Sequence, residues 1–192
     1  MNKPFLAGMV ILALVLFAIA PAAQAQAQCS GYYCEFENCF FYDQIADGTF
    51  SFGCPNWGYA GTAGVTLSNM CGYPNNVAYI SRNLYSTGGV VAQVFSTSND
   101  FLDEYSFEYF VETSNMQPGD KVDVYVIESN GYPPQWHLVD TITTNVSCLR
   151  RVHHFTNPGW KGHLMWVRFE GNFGSTSTSA YIDYVAFWQK TY

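Results

Sequence analysis

The chain has 192 residues, with 15 Asp and Glu against 8 Lys and Arg for a formal net charge of −7. That balance argues against nucleic acid as a partner, because phosphates call for a basic face, and it is compatible with cations and neutral ligands. Aromatic residues make up 18% of the chain and charged residues only 12%, so the aromatics crowd the core, contribute to a contact surface, or do both.

The N-terminal residues read as a targeting segment. Lys3 supplies a short positive region, Phe5 to Ala20 is apolar without a charge, and Pro21 breaks the run. Ala23-Gln24-Ala25 and Ala25-Gln26-Ala27 follow as small-x-small cleavage sites, which is the pattern of a secretory signal peptide over residues 1–27. The alternative is a retained anchor, but the apolar run falls short of a span. A secreted, extracellular protein is expected, with no membrane segment after cleavage and one domain over 28–192.

Six cysteines remain after residue 27: Cys29, Cys34, Cys39, Cys54, Cys71 and Cys148. An even count in an exported chain reads as disulfides. Five of the six precede residue 72, so the bridges are expected to tie down the N-terminal half. Fifteen connectivities are open. Proximity in sequence favours Cys34 with Cys39 and Cys54 with Cys71, which leaves Cys29 with Cys148. No C-x-x-C pair occurs and the four histidines lack ligand spacing, so zinc is disfavoured.

Along the chain, a loop-rich passage over 53–64 is followed by short strand candidates at Gly64 to Ser68, Val77 to Arg82 and Val90 to Ser96. Glu104 to Thr113 alternates, with Tyr105, Phe107, Tyr109 and Val111 on one face and Ser106, Glu108, Phe110 and Glu112 on the other. Pro118-Gly119-Asp120 is a turn in which Pro presets the first φ and Gly supplies the left-handed position. Lys121 to Glu128 alternates again, placing Val122, Val124 and Val126 opposite Asp123, Tyr125 and Ile127. Trp136 to Thr144, Arg150 to Thr156, Gly162 to Glu170 and Ala180 to Trp188 complete the series. Strands at this spacing, with turn signals between them and no helical window, predict an all-β fold: a single jelly-roll β-sandwich of two antiparallel sheets.

The order of these pieces resembles known secreted modules. Cys34-Glu35-Phe36-Glu37-Asn38-Cys39 is similar to the opening of MAM domains, and Val167-Arg168-Phe169-Glu170-Gly171 with Ala180-Tyr181-Ile182-Asp183-Tyr184-Val185 resembles their closing strands. Tyr184 stands where those domains carry a second Asp. The closing pattern, with Val91-Ala92-Gln93-Val94-Phe95 and Tyr105-Ser106-Phe107-Glu108-Tyr109, is also similar to galactose-binding-like folds, which include many carbohydrate-binding modules. The resemblance implies a structural calcium ion held by Glu37 and Asp183 with backbone carbonyls. The residues themselves add one argument: Asp183 shares the parity of Val185 and Phe187, and a carboxylate buried there needs a cation or several donors. Calcium takes six to eight oxygens, so two carboxylates supply part of its shell.

Catalytic constellations are poorly supported. Glu108 and Glu112 share a strand face, but four positions span about 13 Å, beyond the roughly 9.5 Å limit for paired glycosidase carboxylates. Glu35 and Glu37, about 7 Å apart, fit the inverting window by distance alone. No G-x-S-x-G occurs. His153-His154 beside Arg150-Arg151 reads as a polar edge strand. Aromatics on the less apolar parity or at loop ends, namely Tyr125, Tyr132, Trp136, Tyr184 and Trp188, are the candidates for stacking on sugar rings. Asn145-Val146-Ser147 is a glycosylation sequon. The leading expectation is a non-catalytic recognition or adhesion module for an extracellular glycan or surface protein. The alternatives are a self-associating subunit of a surface layer or filament, hence a homo-oligomer, and a secreted hydrolase.

Overall fold

The computed structural model describes residues 41–51 and 56–191. Eleven strands are found there: β1 Phe41–Asp43, β2 Trp57–Gly61, β3 Ala63–Ser68, β4 Asn75–Ser81, β5 Gly88–Ser96, β6 Glu104–Ser114, β7 Lys121–Glu128, β8 Gln135–Ile142, β9 Val146–Thr156, β10 Leu164–Asn172 and β11 Ser179–Lys190. A single 3-10 turn, Met70–Gly72, lies between β3 and β4. Among the described residues no helix is long and apolar enough to cross a membrane.

The strands form two antiparallel sheets. Sheet A runs β3-β4-β11-β6-β9, with β1 as a sixth strand beside β11; sheet B runs β2-β5-β10-β7-β8. From β4 onward the chain alternates between sheets, apart from the β7–β8 connection within sheet B. This is the expected jelly-roll sandwich. β2 is an addition, since it lies in the passage that reads as loop. It is an edge strand in which only Trp57 is buried, while Gly58, Ala60 and Gly61 carry little or no side chain.

Alternation builds the core. Phe107, Tyr109 and Val111 of β6, Val122, Val124 and Val126 of β7, Met165, Val167 and Phe169 of β10, and Ile182, Val185 and Phe187 of β11 are all within 1% of full burial. Replacing one of these phenylalanines with Ala costs about 3–5 kcal/mol. Tyr109 brings a hydroxyl into this core and donates it to Asp140 Oδ2 at 2.9 Å. Asp140 also pairs with Arg151 at 3.0 Å, so one carboxylate joins the edge strands of the two sheets. Burial first, then the Asp140 charge, raises the Tyr109 hydroxyl pKa well above its ordinary range. A buried tyrosine of this kind serves as a permanent donor.

Two expectations are corrected by the fold. Cys71 bonds to Cys148, with Cα atoms 4.8 Å apart, so neither Cys54–Cys71 nor Cys29–Cys148 forms. Cys71 sits in the loop on one flank of sheet A, and Cys148 lies on β9 at the opposite flank. The loop 69–74 therefore reaches across the outer face of the sheet, and proximity in sequence was the wrong guide. Cys29, Cys34, Cys39 and Cys54 lie outside the described residues, as do Glu35 and Glu37. The second correction concerns Asp183. The β11–β6 register shifts between Asp183 and Ala186, and Tyr184 takes a left-handed φ of 48° there. This bulge reverses the alternation, so Val185 and Phe187 enter the core while Asp183 stays with Tyr181 on the outer side.

Candidate functional site

The outer face of sheet B carries two exposed indoles, Trp136 and Trp166. On β10, Met165, Val167 and Phe169 point inward, which turns Leu164, Trp166, Arg168 and Glu170 outward. On β7 the same alternation turns Lys121, Asp123, Tyr125 and Ile127 outward. A register shift between Val124 and Tyr125 on the β7–β8 pair keeps Trp136 opposite Ile127 and Leu138 opposite Tyr125. Trp136 is 52% exposed and Trp166 40%. Water is excluded from neither indole, so each is available to a ligand.

The side chains on this face are mutually arranged. The Tyr125 ring meets Trp136 edge-on with centroids 5.4 Å apart, and the Arg168 guanidinium lies over the Trp136 ring at 5.3 Å. Arg168 also clasps Glu170 Oε2 through Nε and Nη2 at 3.1 and 2.8 Å. Asp123 receives Lys121 Nζ at 2.5 Å and the Thr141 hydroxyl at 2.9 Å. Burial, then the charge of Asp123, raises the Tyr125 pKa above its ordinary value, so its hydroxyl stays protonated. The result is an apolar half built from Val94, Trp166, Ile127 and Trp136, bordered on one side by paired charges and a phenol.

Of the sequence-predicted aromatics, Tyr125 and Trp136 come together here. Tyr132 is 98% exposed in the β7–β8 loop that leads into Trp136. Tyr184 and Trp188 lie on the outer side of sheet A: Tyr184 meets Phe110 edge-on at 5.9 Å, and Trp188 is partly buried opposite Ser106 and Asp43. Sequence reasoning missed Trp166, Arg168, Asp123 and Glu170. The Leu164, Trp166, Arg168, Glu170 parity carries the signal, because it alternates with three buried apolar residues.

Asp183 is held differently. Its Oδ1 accepts the Tyr184 N–H at 2.8 Å and its Oδ2 accepts the Asn75 amide. Burial raises its pKa above the ordinary carboxylate value, and these two hydrogen bonds only partly oppose that. The Asn75 Oδ1 beside it is buried with no hydrogen-bond partner. A carboxylate next to an orphaned amide oxygen fits two ligands of a hard cation. Among the described residues, however, no group of three or more His, Cys, Asp or Glu converges on a metal position. The other carboxylate in play, Glu108, is neutralised by Arg150 at 2.5 Å. Glu112 stands apart from it.

No family model and no curated protein matches the chain, so the comparison rests on solved structures. TmCBM61 in complex with β-1,4-galactotriose is similar with a TM-score of 0.57 at 11% identity, over 77% of this chain and 99% of that one. The C-terminal family 22 carbohydrate-binding module of Clostridium thermocellum Xyn10B gives 0.53 at 15% identity, over 84% and 94%. The apo form of a cyclase from Fischerella sp. gives 0.54 at 9%, over 80% and 98%. What the chain shares with these structures is their fold.

Proposed function

We propose that this protein is a non-catalytic, extracellular recognition module that binds glycan on the outer face of sheet B. The observation that supports this most is the placement of Trp136, Trp166 and Tyr125 on one face, beside Asp123, Glu170 and Arg168. Apolar ring faces and fixed polar groups side by side are what a sugar offers partners for: C–H surface to stack and hydroxyls to hydrogen-bond. The fold shared with carbohydrate-binding modules supports the same reading. A hydrolase is disfavoured because each carboxylate of the face is tied to a cation. Export after loss of residues 1–27 belongs to the proposal, and N-terminal sequencing of the protein from culture medium tests it.

A structural calcium ion is part of the same reading. Asp183 and the unpartnered Asn75 Oδ1 would supply two oxygens and Glu37 a third, with backbone carbonyls completing the shell. The ion would brace the bulge in β11 without touching the glycan face.

The second reading is self-association, favoured by the same strip of exposed Val94, Leu164, Trp166, Trp136 and Leu138. A glycan array together with size-exclusion chromatography separates the two. Glycan binding by a small species that is lost in Trp136→Ala supports recognition. Large assemblies that bind no glycan and dissociate in Trp136→Ala support the subunit.

A further inference from the structure

The two exposed indoles share one row of sheet B. Trp166 pairs with Ile127 across β10 and β7, and Ile127 pairs with Trp136 across β7 and β8. Neighbouring strands lie about 4.8 Å apart, so the backbones carrying the two indoles are separated by roughly 10 Å. Ile127 between them is only 5% exposed. Side chains of its neighbours cover it, so this row meets solvent at its two indoles.

A single pyranose ring is narrower than that separation, whereas successive rings of an extended chain advance by about one strand spacing each. Arg168 and Tyr125 stand in the adjacent row and Glu170 and Asp123 in the row beyond, all on the same flank. A chain laid along the Trp166–Ile127–Trp136 row would present one edge of every ring to those groups. The charges on the flank balance: Lys121 is committed to Asp123, and Arg168 to Glu170 and the Trp136 ring. An anionic sugar would have to displace a carboxylate to reach either cation.

Building on the glycan reading, we infer that the site takes an internal stretch of an uncharged, extended polysaccharide. Three consecutive sugars run across β10, β7 and β8, with the outer two on Trp166 and Trp136. The chemical class is a chain whose linkages keep successive rings in line, as β-1,4 linkages do. A lone terminal sugar fills one third of the row.

The test is calorimetric titration of the intact protein with β-1,4-linked xylo-, gluco-, manno- and galacto-oligosaccharides, each from one to six units, and with a polyuronate series of the same lengths. The expected result for at least one neutral series is affinity that climbs to three units and then flattens. The trisaccharide should bind about 30-fold or more tighter than the monosaccharide, the scale of one aromatic anchor. Trp136→Ala and Trp166→Ala should each return the trisaccharide to near monosaccharide affinity. A monosaccharide that binds as tightly as the hexasaccharide overturns the extended chain and leaves the glycan reading standing. Dependence on one indole alone, or tighter binding of the polyuronate, does the same. If no oligosaccharide of any length binds, both readings fail. Because the length dependence is read on the unmodified protein, the outcome holds even if a variant folds poorly.

Discussion

The two outer faces of the sandwich arise from the same alternation and end in opposite conditions. On sheet A, the loop 69–74 is stapled across the face by Cys71–Cys148, Glu108 is closed by Arg150, Glu104 by Lys190, and Asp183 by Asn75. On sheet B the charges are also paired, but among the described residues no strap crosses, and two indoles stand 40% and 52% exposed. The difference teaches that alternation decides which side chains leave the core, whereas long-range ties decide whether they meet water. The glycan face is proposed on sheet B for that reason.

The largest expected effect strikes the closed face. Cys71→Ala with Cys148→Ala should cost about 4 kcal/mol, because the bridge joins residues 77 apart and removes that loop entropy from the unfolded chain. Urea unfolding measures it, and glycan affinity of the folded fraction should not move. Altered affinity would mean that the strap serves the open face too.

Next in size is calcium. If the Asp183 site binds it, a hundredfold excess over the dissociation constant should stabilise the fold by about 2.7 kcal/mol. Chelator should lower the melting temperature of the wild type and leave that of Asp183→Ala unchanged. Indifference of the wild type to chelator disposes of the ion. Trp136→Ala should weaken glycan binding by about 2 kcal/mol while unfolding near the wild-type midpoint, whereas Tyr184→Ala and Trp188→Ala should leave binding intact. The reverse pattern would move the site to sheet A.

A pH slope is expected as well, again on the sheet A side. Burial pushes the Asp43 carboxyl up to about 7, against hydrogen bonds from the backbone N–H groups of Ile45, Phe187 and Gln44. Between pH 4 and 7 the folded chain then holds a proton that the unfolded chain has lost. Stability from this group is complete below pH 4 and falls as pH rises through 7. Thermal unfolding at pH 5 and pH 8 should show the drop, and Asp43→Asn should flatten it.

Much of the fold can be read from the chain because period-2 patterning survives in it. Tyr105, Phe107, Tyr109 and Val111 face inward as their spacing says, and so do Val122, Val124 and Val126. Part of the site follows from the same logic, since Tyr125 and Trp136 each sit on the less apolar parity. What failed was non-local. The bulge after Asp183 has no signature in residue types, because Tyr184 at φ 48° is an unusual occupant of a left-handed position. The partner of Cys71 is chosen by a loop that reaches from the β3–β4 flank of sheet A to β9, which spacing does not encode. Trp166 was hidden by its neighbours, since Met165, Val167 and Phe169 make the whole stretch read as core.

The position of β11 has a consequence for how the molecule comes together. It is the last strand in chain order, yet it lies between β4 and β6 and also takes β1. Until Ser179–Lys190 arrives, β4 and β6 have no common neighbour, and sheet A is two ladders, β3–β4 and β6–β9, with β1 unpaired beside them. Sheet B has no such gap, because β10 has already joined β5 to β7. Such long-range closure is slow. Assembly of this sandwich is thus committed only when its final strand is delivered, and a nascent chain stalled before residue 179 would present two open ladders to its surroundings.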